Sequence, residues 1–183
     1  MSKTATLQEL DRIDQALQAH LNRWGQYTDD QLNKRPSDGG WSPLQVMHHL
    51  ILAEGGSLDY VKKKLSFQPQ LSKLGAGDRL RAFMLKFYLS LPFKFKAPKV
   101  VGDEVLPEQT TFGETNKQWL QIRADLRAYL EELPEEHFSK SLYKHPFAGR
   151  MSLKSMLQFF GSHVERHAAQ VDRSLKPASR ANA

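Results

Sequence analysis

Residues 153–175 have the sequence LKSMLQFFGSHVERHAAQVDRSL, which predicts one long helix and a place for chemistry on it. The apolar residues recur at intervals of three and four, as on an amphipathic α-helix. His163 and His167 are four positions apart, so their side chains lie one above the other on the same helix face. Two imidazoles placed in this way can bind one metal ion, although packing and surface histidines also show this spacing. A third ligand on another helix would favour the metal site.

Three further segments have the apolar spacing of long amphipathic helices, at about residues 6–27, 43–65 and 113–133. Together with the helix at 153–175 they predict an all-α fold, a four-helix bundle, without convincing strands. A short additional helix is predicted at 78–89, inside a long central crossover that continues as a loop over 92–107. The second long helix has a clear start, because Ser42 suits the N-cap, Pro43 the first helical position and Gln45 a capping box.

Length and composition are those of one soluble domain, predicted at residues 1–176 with a disordered tail at 177–183. Hydrophobic residues make up 40% and charged residues 25% of the 183 positions. No stretch approaches the roughly 20 apolar residues of a membrane span, so no membrane partner is predicted. The net charge of +6 comes from basic residues that are mostly scattered, so no nucleic-acid partner is predicted either.

The chain contains no cysteine. This excludes disulfides, thiolate metal ligands and a cysteine nucleophile, and it fits a protein of the reducing cytoplasm. A metal site in this chain must therefore use histidine, aspartate or glutamate.

A third histidine ligand is available on the second long helix, where His48 and His49 are adjacent. His48 lies one turn after Leu44 on the apolar stripe, and His49 lies one turn after Gln45. Periodicity does not choose between the two histidines. Without the pair on the last helix, a core histidine bonded to a neighbour would be the better interpretation of either one.

Two motifs in the chain together resemble the DinB-like superfamily of metalloenzymes, including its YfiT branch. The first motif is DGGWSPLQVMHHL at residues 38–50, with a Trp before a capped helix, then Gln, then His followed by Leu. The second motif runs from His145-Pro146 through Gly149 and Ser152-Leu153 to His163-x-x-x-His167-x-x-Gln170. The motifs cover about a quarter of the chain, and the order of helices agrees over nearly all of it.

The resemblance implies a four-helix bundle that binds one divalent metal ion, nickel or zinc, through three histidines. The histidine directly before Leu is the usual ligand in the first motif, which gives His49 with His163 and His167, and His48 as the alternative. The resemblance further implies a bacterial protein, often a homodimer, that acts on a small-molecule substrate. The implied activities are those of a metal-dependent hydrolase or of an S-transferase that uses a low-molecular-weight thiol.

Catalysis at such a metal would also need a proton acceptor, and the candidates are Glu54, Tyr143 and His145. Each of them has a structural role as its competing interpretation. Gln45 precedes His49 by one turn and can orient its ring, although capping competes for the same side chain. Two alternatives to an enzyme remain: a non-catalytic binding or sensing module stabilised by metal, and histidines that only pack in the core.

The central crossover, residues 68–112, is rich in phenylalanine and lysine. The favoured interpretation is an extra helix and a lid that pack on the bundle. The alternative is a pocket wall for an apolar or anionic substrate, since long loops often shape binding sites.

Overall fold

Each long helix begins at a residue whose side chain satisfies the free amides of the first turn. In the computed structural model, which describes residues 1–90 and 98–176, Ser42 and Gln45 form the predicted capping box. The Ser42 hydroxyl accepts the Gln45 amide at 3.2 Å, and the Gln45 side chain accepts the Ser42 amide at 3.1 Å. Ser152 caps the last helix in the same way by accepting the amide of Ser155.

Six α-helices and one β-hairpin make up the described chain. Their bounds are α1 Lys3–Trp24, α2 Asp29–Asn33, α3 Pro43–Ser66, α4 Ala76–Ser90, α5 Phe112–Glu132 and α6 Leu153–Leu175, with strands β1 Tyr143–His145 and β2 Gly149–Met151. Short 3-10 helices cover Lys99–Val101, Asp103–Val105 and Glu135–Ser139. The predicted tail at 177–183 and residues 92–97 of the predicted loop lie outside the described residues.

The predicted four-helix bundle is confirmed, and it consists of α1, α3, α5 and α6. Helices α1 and α3 each pack against both α5 and α6. Contacts of α3 with α5 advance in the same direction along both helices, from His48–Thr115 to Glu54–Arg123, so these neighbours run parallel. Because parallel neighbours cannot be joined by a tight turn, residues 67–111 form the long crossover, and the predicted additional helix, α4, lies within it.

Two elements differ from the sequence prediction. Helix α2 is only five residues long, too short for an apolar period, but Thr28 and Gln31 give it a capping box. The expectation of a chain without convincing strands was wrong, because residues 143–151 form an antiparallel hairpin with strands of three residues. Such short strands show almost no alternation, and the left-handed Gly149, with φ of 76°, is their main local signal.

The bundle interior consists of two groups of buried apolar residues, which meet along α6. Phe159 and Phe160 belong to one group, and Val164 and Ala168 belong to the other. His163 and His167 therefore lie on the part of α6 where the two groups join. Among the described residues, no helix is both long enough and apolar enough to cross a membrane.

Candidate metal centre

Helices α3 and α6 bring together three histidines, namely His49, His163 and His167. Each offers a ring nitrogen, and these three atoms lie within 4.8 Å of one another. The Nε2 atoms of His49 and His163 are 3.2 Å apart. The ring centroids are separated by 4.7–5.0 Å. His49 is buried and the other two are half-buried, so the cluster lies at the edge of the core.

Hydrogen bonds at the far side of two rings decide which nitrogen faces the cluster. His49 Nδ1 lies 2.7 Å from the carbonyl oxygen of Val101, and His167 Nδ1 lies 2.9 Å from Oε1 of Gln170. Since a carbonyl oxygen only accepts, both Nδ1 atoms carry the proton. In the neutral imidazoles, Nε2 of His49 and of His167 then presents a lone pair to the cluster.

The geometry fits a metal ion. Two imidazole nitrogens bound to one tetrahedral zinc at 2.0–2.1 Å are about 3.3 Å apart. The observed 3.2 Å between Nε2 of His49 and Nε2 of His163 agrees with this value. The partners of His49 and His167 also match those of ligating histidines, whose second nitrogen usually donates to a carbonyl or amide oxygen. The donor set, three neutral imidazoles without a thiolate, suits zinc, nickel, copper or iron.

The surroundings keep the three rings neutral. Burial lowers the pKa of His49, and burial and the nearby His49 lower the pKa of His167 to about 3. The pKa of His163 is well below its ordinary value, because the ring is desolvated and lies beside the other two histidines. With the proton of His49 on Nδ1, Nε2 of a neutral His163 can donate to Nε2 of His49, and a metal ion bound between the rings would displace that proton.

Aromatic rings and the central crossover enclose the cluster. The Trp41 ring packs on His49 at a centroid distance of 5.0 Å, and the Phe159 ring stacks on His163 at 5.1 Å. The Trp41 indole donates a hydrogen bond to Asp103, two residues after the carbonyl that holds His49. The crossover segment 101–103 therefore fixes both the edge and the face of the His49 ring.

His48 points away from the cluster, toward α5. Its Nε2 lies 3.2 Å from the Thr115 hydroxyl, which itself donates to the carbonyl of Thr111. Because that hydroxyl has one proton, His48 donates and its Nε2 has no free lone pair. The structure thus brings His49, and not His48, to His163 and His167.

Gln45 does not take the orienting role that was predicted for it. Its side chain accepts from the Ser42 amide and donates to the carbonyl of Pro107 at 3.1 Å. Capping and attachment of the crossover use both ends of the amide group, and Val101 orients His49 instead. The crossover backbone that supplies the Val101 carbonyl has no sequence pattern, so this contact with His49 could not be predicted.

Glu54 lies in a buried ion pair at the α3–α5 interface. Its carboxylate accepts from Arg123 Nε at 2.6 Å, from Arg123 Nη2 at 2.7 Å and from the Trp119 indole at 3.1 Å. The other side of Arg123 donates to Asp14 at 2.7 Å. A carboxylate that accepts three such bonds stabilises the α3–α5 interface, and its oxygens are not free to accept a proton from a substrate.

Tyr143 and His145 lie on the hairpin, near α6. The Tyr143 hydroxyl is 3.0 Å from the Ser57 hydroxyl, and burial raises the pKa of Tyr143 to about 12. His145 Nδ1 accepts the amides of Phe147 and Ala148, both at 3.2 Å. The His145 ring packs on Phe159 at a centroid distance of 4.6 Å, so Phe159 lies between the rings of His145 and His163.

The orienting residues were the part of the site that the sequence did not predict. Gln170 follows His167 by three positions, which places both side chains on one helix face. Helical spacing could therefore have predicted this contact. Val101 and Asp103 lie in short 3-10 helices of the crossover, 52 and 62 residues from their partners, so sequence spacing does not predict these contacts.

Acid is expected to destabilise the metal-free protein between about pH 6.5 and pH 4. Burial lowers the pKa of His145 from 6.5 to about 4. In this interval the unfolded chain binds a proton that the folded chain does not, so stability falls as the pH falls. The contribution of His145 is about 3 kcal/mol at full extent. Urea unfolding at pH 7.5 and pH 4.5 measures it.

The matched variant is His145→Asn, whose side-chain oxygen can still accept a backbone amide in the hairpin turn. It should lose the part of the pH dependence that belongs to His145 and keep the part from the other buried histidines. An unchanged difference between pH 7.5 and pH 4.5 in this variant would assign the acid sensitivity elsewhere.

Comparison with known proteins adds a family and two relatives. Residues 9–171 match the family model described as the DinB superfamily. YuaE, an uncharacterized protein of Bacillus subtilis strain 168, is 23% identical over 167 residues, which are 90% of this chain and 97% of YuaE.

One solved structure, YfiT from Bacillus subtilis, is similar to this chain with a TM-score of 0.54 and 22% identity. The match covers 94% of this chain and 85% of YfiT. YfiT is described as a probable metal-dependent hydrolase with an unusual four-helix bundle topology. At this identity the likeness shows the shared fold.

Proposed function

The chain belongs to the DinB superfamily, and on that premise we propose that it is a metal-dependent hydrolase of a small-molecule substrate. The proposed ligands of one divalent metal ion, zinc or nickel, are Nε2 of His49, His163 and His167. YfiT, which shares the fold, is described as a probable metal-dependent hydrolase.

The observation that carries this proposal is the 3.2 Å between Nε2 of His49 and Nε2 of His163. The Nδ1 atoms of His49 and His167 donate to Val101 and Gln170, which leaves the Nε2 lone pair of each ring available to a metal ion. Three protein ligands also leave a coordination position for water or substrate, as in catalytic zinc sites.

A divalent metal bound here would lower the pKa of water and polarise a substrate oxygen. The chain itself contributes the orientation of the three rings and an apolar enclosure made by Trp41 and Phe159. Neutral His145 carries its proton on Nε2, because its Nδ1 accepts two amides. The absence of cysteine means that a thiol, if used, must come from a cosubstrate.

Turnover assays with metal-loaded protein test the activity. We expect hydrolysis within a panel of chromogenic esters, amides and phosphoesters. A chelator should abolish the hydrolysis, Zn²⁺ or Ni²⁺ should restore it, and His163→Ala should lack it. A parallel arm adds bacillithiol, mycothiol or glutathione with an electrophile.

The outcomes separate the candidate functions. Turnover that requires a thiol would replace the hydrolase with an S-transferase at the same site. Stoichiometric metal without turnover in either arm would favour a non-catalytic module, in which the metal only stabilises α3 against α6.

A further inference from the structure

Helix α4 presents large apolar side chains to solvent. Leu80 is 59% exposed, Phe83 69%, Met84 58% and Phe87 60%. These positions are spaced i, i+3, i+4 and i+7, so they form one continuous stripe, the α4 outer face. The inner face of the same helix packs on α6 through residues such as Leu85, which is 7% exposed.

The α4 outer face is held in place at both ends of the helix. At the start, Asp78 accepts the Gly75 amide at 2.8 Å, the Ser141 hydroxyl at 2.9 Å and Arg81 at 2.7 Å. At the end, Arg166 of α6 donates to the Leu89 carbonyl at 2.9 Å. The apolar stripe is therefore a fixed surface of the folded protein, and monomeric proteins seldom expose contiguous apolar surface of this kind.

Positive charge lies beside this surface, on the β-hairpin. Strand β2 packs beside α4, and its exposed Arg150 lies directly opposite the exposed Lys144 of β1. Arg81 of α4 donates to the Arg150 carbonyl, but its charge is paired with the Asp78 carboxylate at 2.7 Å. The nearby carboxylate of Asp78 is buried, and it is already used by its three partners.

The sequence in this part of the chain is also basic. Residues 79–102 contain no Asp or Glu but six basic residues, which are Arg79, Arg81, Lys86, Lys94, Lys96 and Lys99. Their charge of +6 equals the net charge of the whole chain. Two of the six are paired with acids that flank this stretch, Arg81 with Asp78 and Lys99 with Glu104.

We propose that the α4 outer face docks the protein on an anionic lipid surface. A helix with Leu, Phe and Met on one face and Arg and Lys around it lies in the membrane interface, with its apolar side chains among the acyl chains. Each basic residue near the surface adds attraction to anionic lipid. The prediction that the chain has no membrane partner considered only a spanning segment, which a surface-bound helix does not need.

A second copy of the chain fits this surface less well, because two α4 outer faces would bring their basic rims together. Nucleic acid fits less well too, since Leu80 and Met84 have neither a hydrogen-bonding group nor a ring on which a base stacks.

Co-sedimentation with vesicles tests the proposal. Full-length protein should bind phosphatidylcholine vesicles with 30% phosphatidylserine or phosphatidylglycerol, and it should bind pure phosphatidylcholine at least about tenfold more weakly. The triple variant L80S/F83S/M84S should lose binding by about tenfold or more, because three exposed apolar side chains no longer insert. Arg150→Glu should weaken binding at least about fivefold, and 0.5 M salt should weaken it for every variant.

Matched controls change the same chemistry on α5, which lies across the bundle from α6 and α4. Leu120 is 42% exposed there and Lys117 is also exposed. Leu120→Ser and Lys117→Glu should therefore bind vesicles as the unchanged protein does. Thermal melts followed by circular dichroism show that each variant is folded.

Several results would overturn the proposal. One is equal sedimentation with neutral and anionic vesicles, or binding that L80S/F83S/M84S retains. Another is a dimer of the unchanged protein that the triple variant converts to a monomer in light scattering, which assigns the face to a second copy. A third is oligonucleotide binding that the triple variant abolishes while vesicle binding is absent. None of these measurements depends on metal or turnover.

Discussion

Replacing Glu54 with alanine is expected to lower the free energy of unfolding by about 3–5 kcal/mol. The side chain of Glu54 is 1% exposed and that of Arg123 is 4% exposed, so the variant leaves a buried guanidinium without its main partner. Burial disfavours the charged guanidinium, but Glu54 and Asp14 offset this and raise the pKa of Arg123 above its usual range. Arg123 keeps its charge when Glu54 is removed, because a guanidinium does not lose its proton at pH 7.5 and Asp14 remains beside it, so the folded state bears the cost. Urea unfolding at pH 7.5 measures the loss.

Two further variants show that the loss comes from the unpaired charge. The double variant E54L/R123M replaces the pair with apolar side chains of similar volume, and it should be more stable than Glu54→Ala alone. Glu131→Ala removes a carboxylate that is 53% exposed and 3.9 Å from Arg127, so it should change stability by less than about 0.5 kcal/mol.

The same measurement decides the role of Glu54 in chemistry. A variant that keeps its stability within 1 kcal/mol, binds metal and yet loses turnover would make Glu54 the proton acceptor that the sequence offered. Loss of stability with metal binding retained in the folded fraction would leave Glu54 as the link between α3 and α5.

The long helices were predictable because their own residues specify them. Ser42, Pro43 and Gln45 set the start of α3, and the period of apolar residues set its face. Helix α6 matches its predicted bounds, Leu153–Leu175, for the same reason. The bundle follows from four such faces, since each must be buried against another.

The elements that were missed depend on contacts distant in sequence. The hairpin at residues 143–151 has three residues in each strand, and it is stabilised partly by packing against α4. The role of Glu54 depends on Arg123, which is 69 residues away on another helix. A single sequence shows that a carboxylate is present, but it does not show which cation the fold places beside it.

The histidine cluster lies between these two cases. Helical spacing brought His163 and His167 together, while the choice between His48 and His49 needed either the family resemblance or the structure. In the structure, His48 hydrogen bonds to Thr115 on α5, and Nδ1 of His49 donates to the Val101 carbonyl. Which of the two histidines faces α6 depends on how α3 packs against its neighbours. The sequence of one helical turn does not specify this packing.

Replacing His163 with alanine is expected to weaken binding of Zn²⁺ or Ni²⁺ by more than about 100-fold. Groups that only orient a ligating histidine contribute 10–100-fold to metal affinity, so a direct ligand contributes more. Elemental analysis of protein purified without a histidine tag gives the stoichiometry, and competition with a chelator gives the affinity. His49→Ala and His167→Ala should behave like His163→Ala.

Two variants separate ligation from nearby packing. His48→Ala is the matched control, because it removes an adjacent imidazole whose Nε2 hydrogen bonds to Thr115, and it should change metal affinity less than about threefold. Gln170→Ala removes only the acceptor of the His167 Nδ1 proton, so its loss should fall within about 10–100-fold.

The stability of the protein gives an independent measure of the same site. A ligand present at 100 times its dissociation constant stabilises the folded state by about 2.7 kcal/mol, so metal should raise the melting temperature of the unchanged protein and of His48→Ala. His163→Ala should lose this gain while its metal-free melt stays close to that of the unchanged protein. Metal affinity in His49→Ala, His163→Ala and His167→Ala that equals the affinity of the unchanged protein would show that the three imidazoles only pack. Loss of metal in His48→Ala with retention in His49→Ala would move the third ligand to the neighbouring residue, and α3 would then have to rotate by more than a quarter turn to bring that ring to α6.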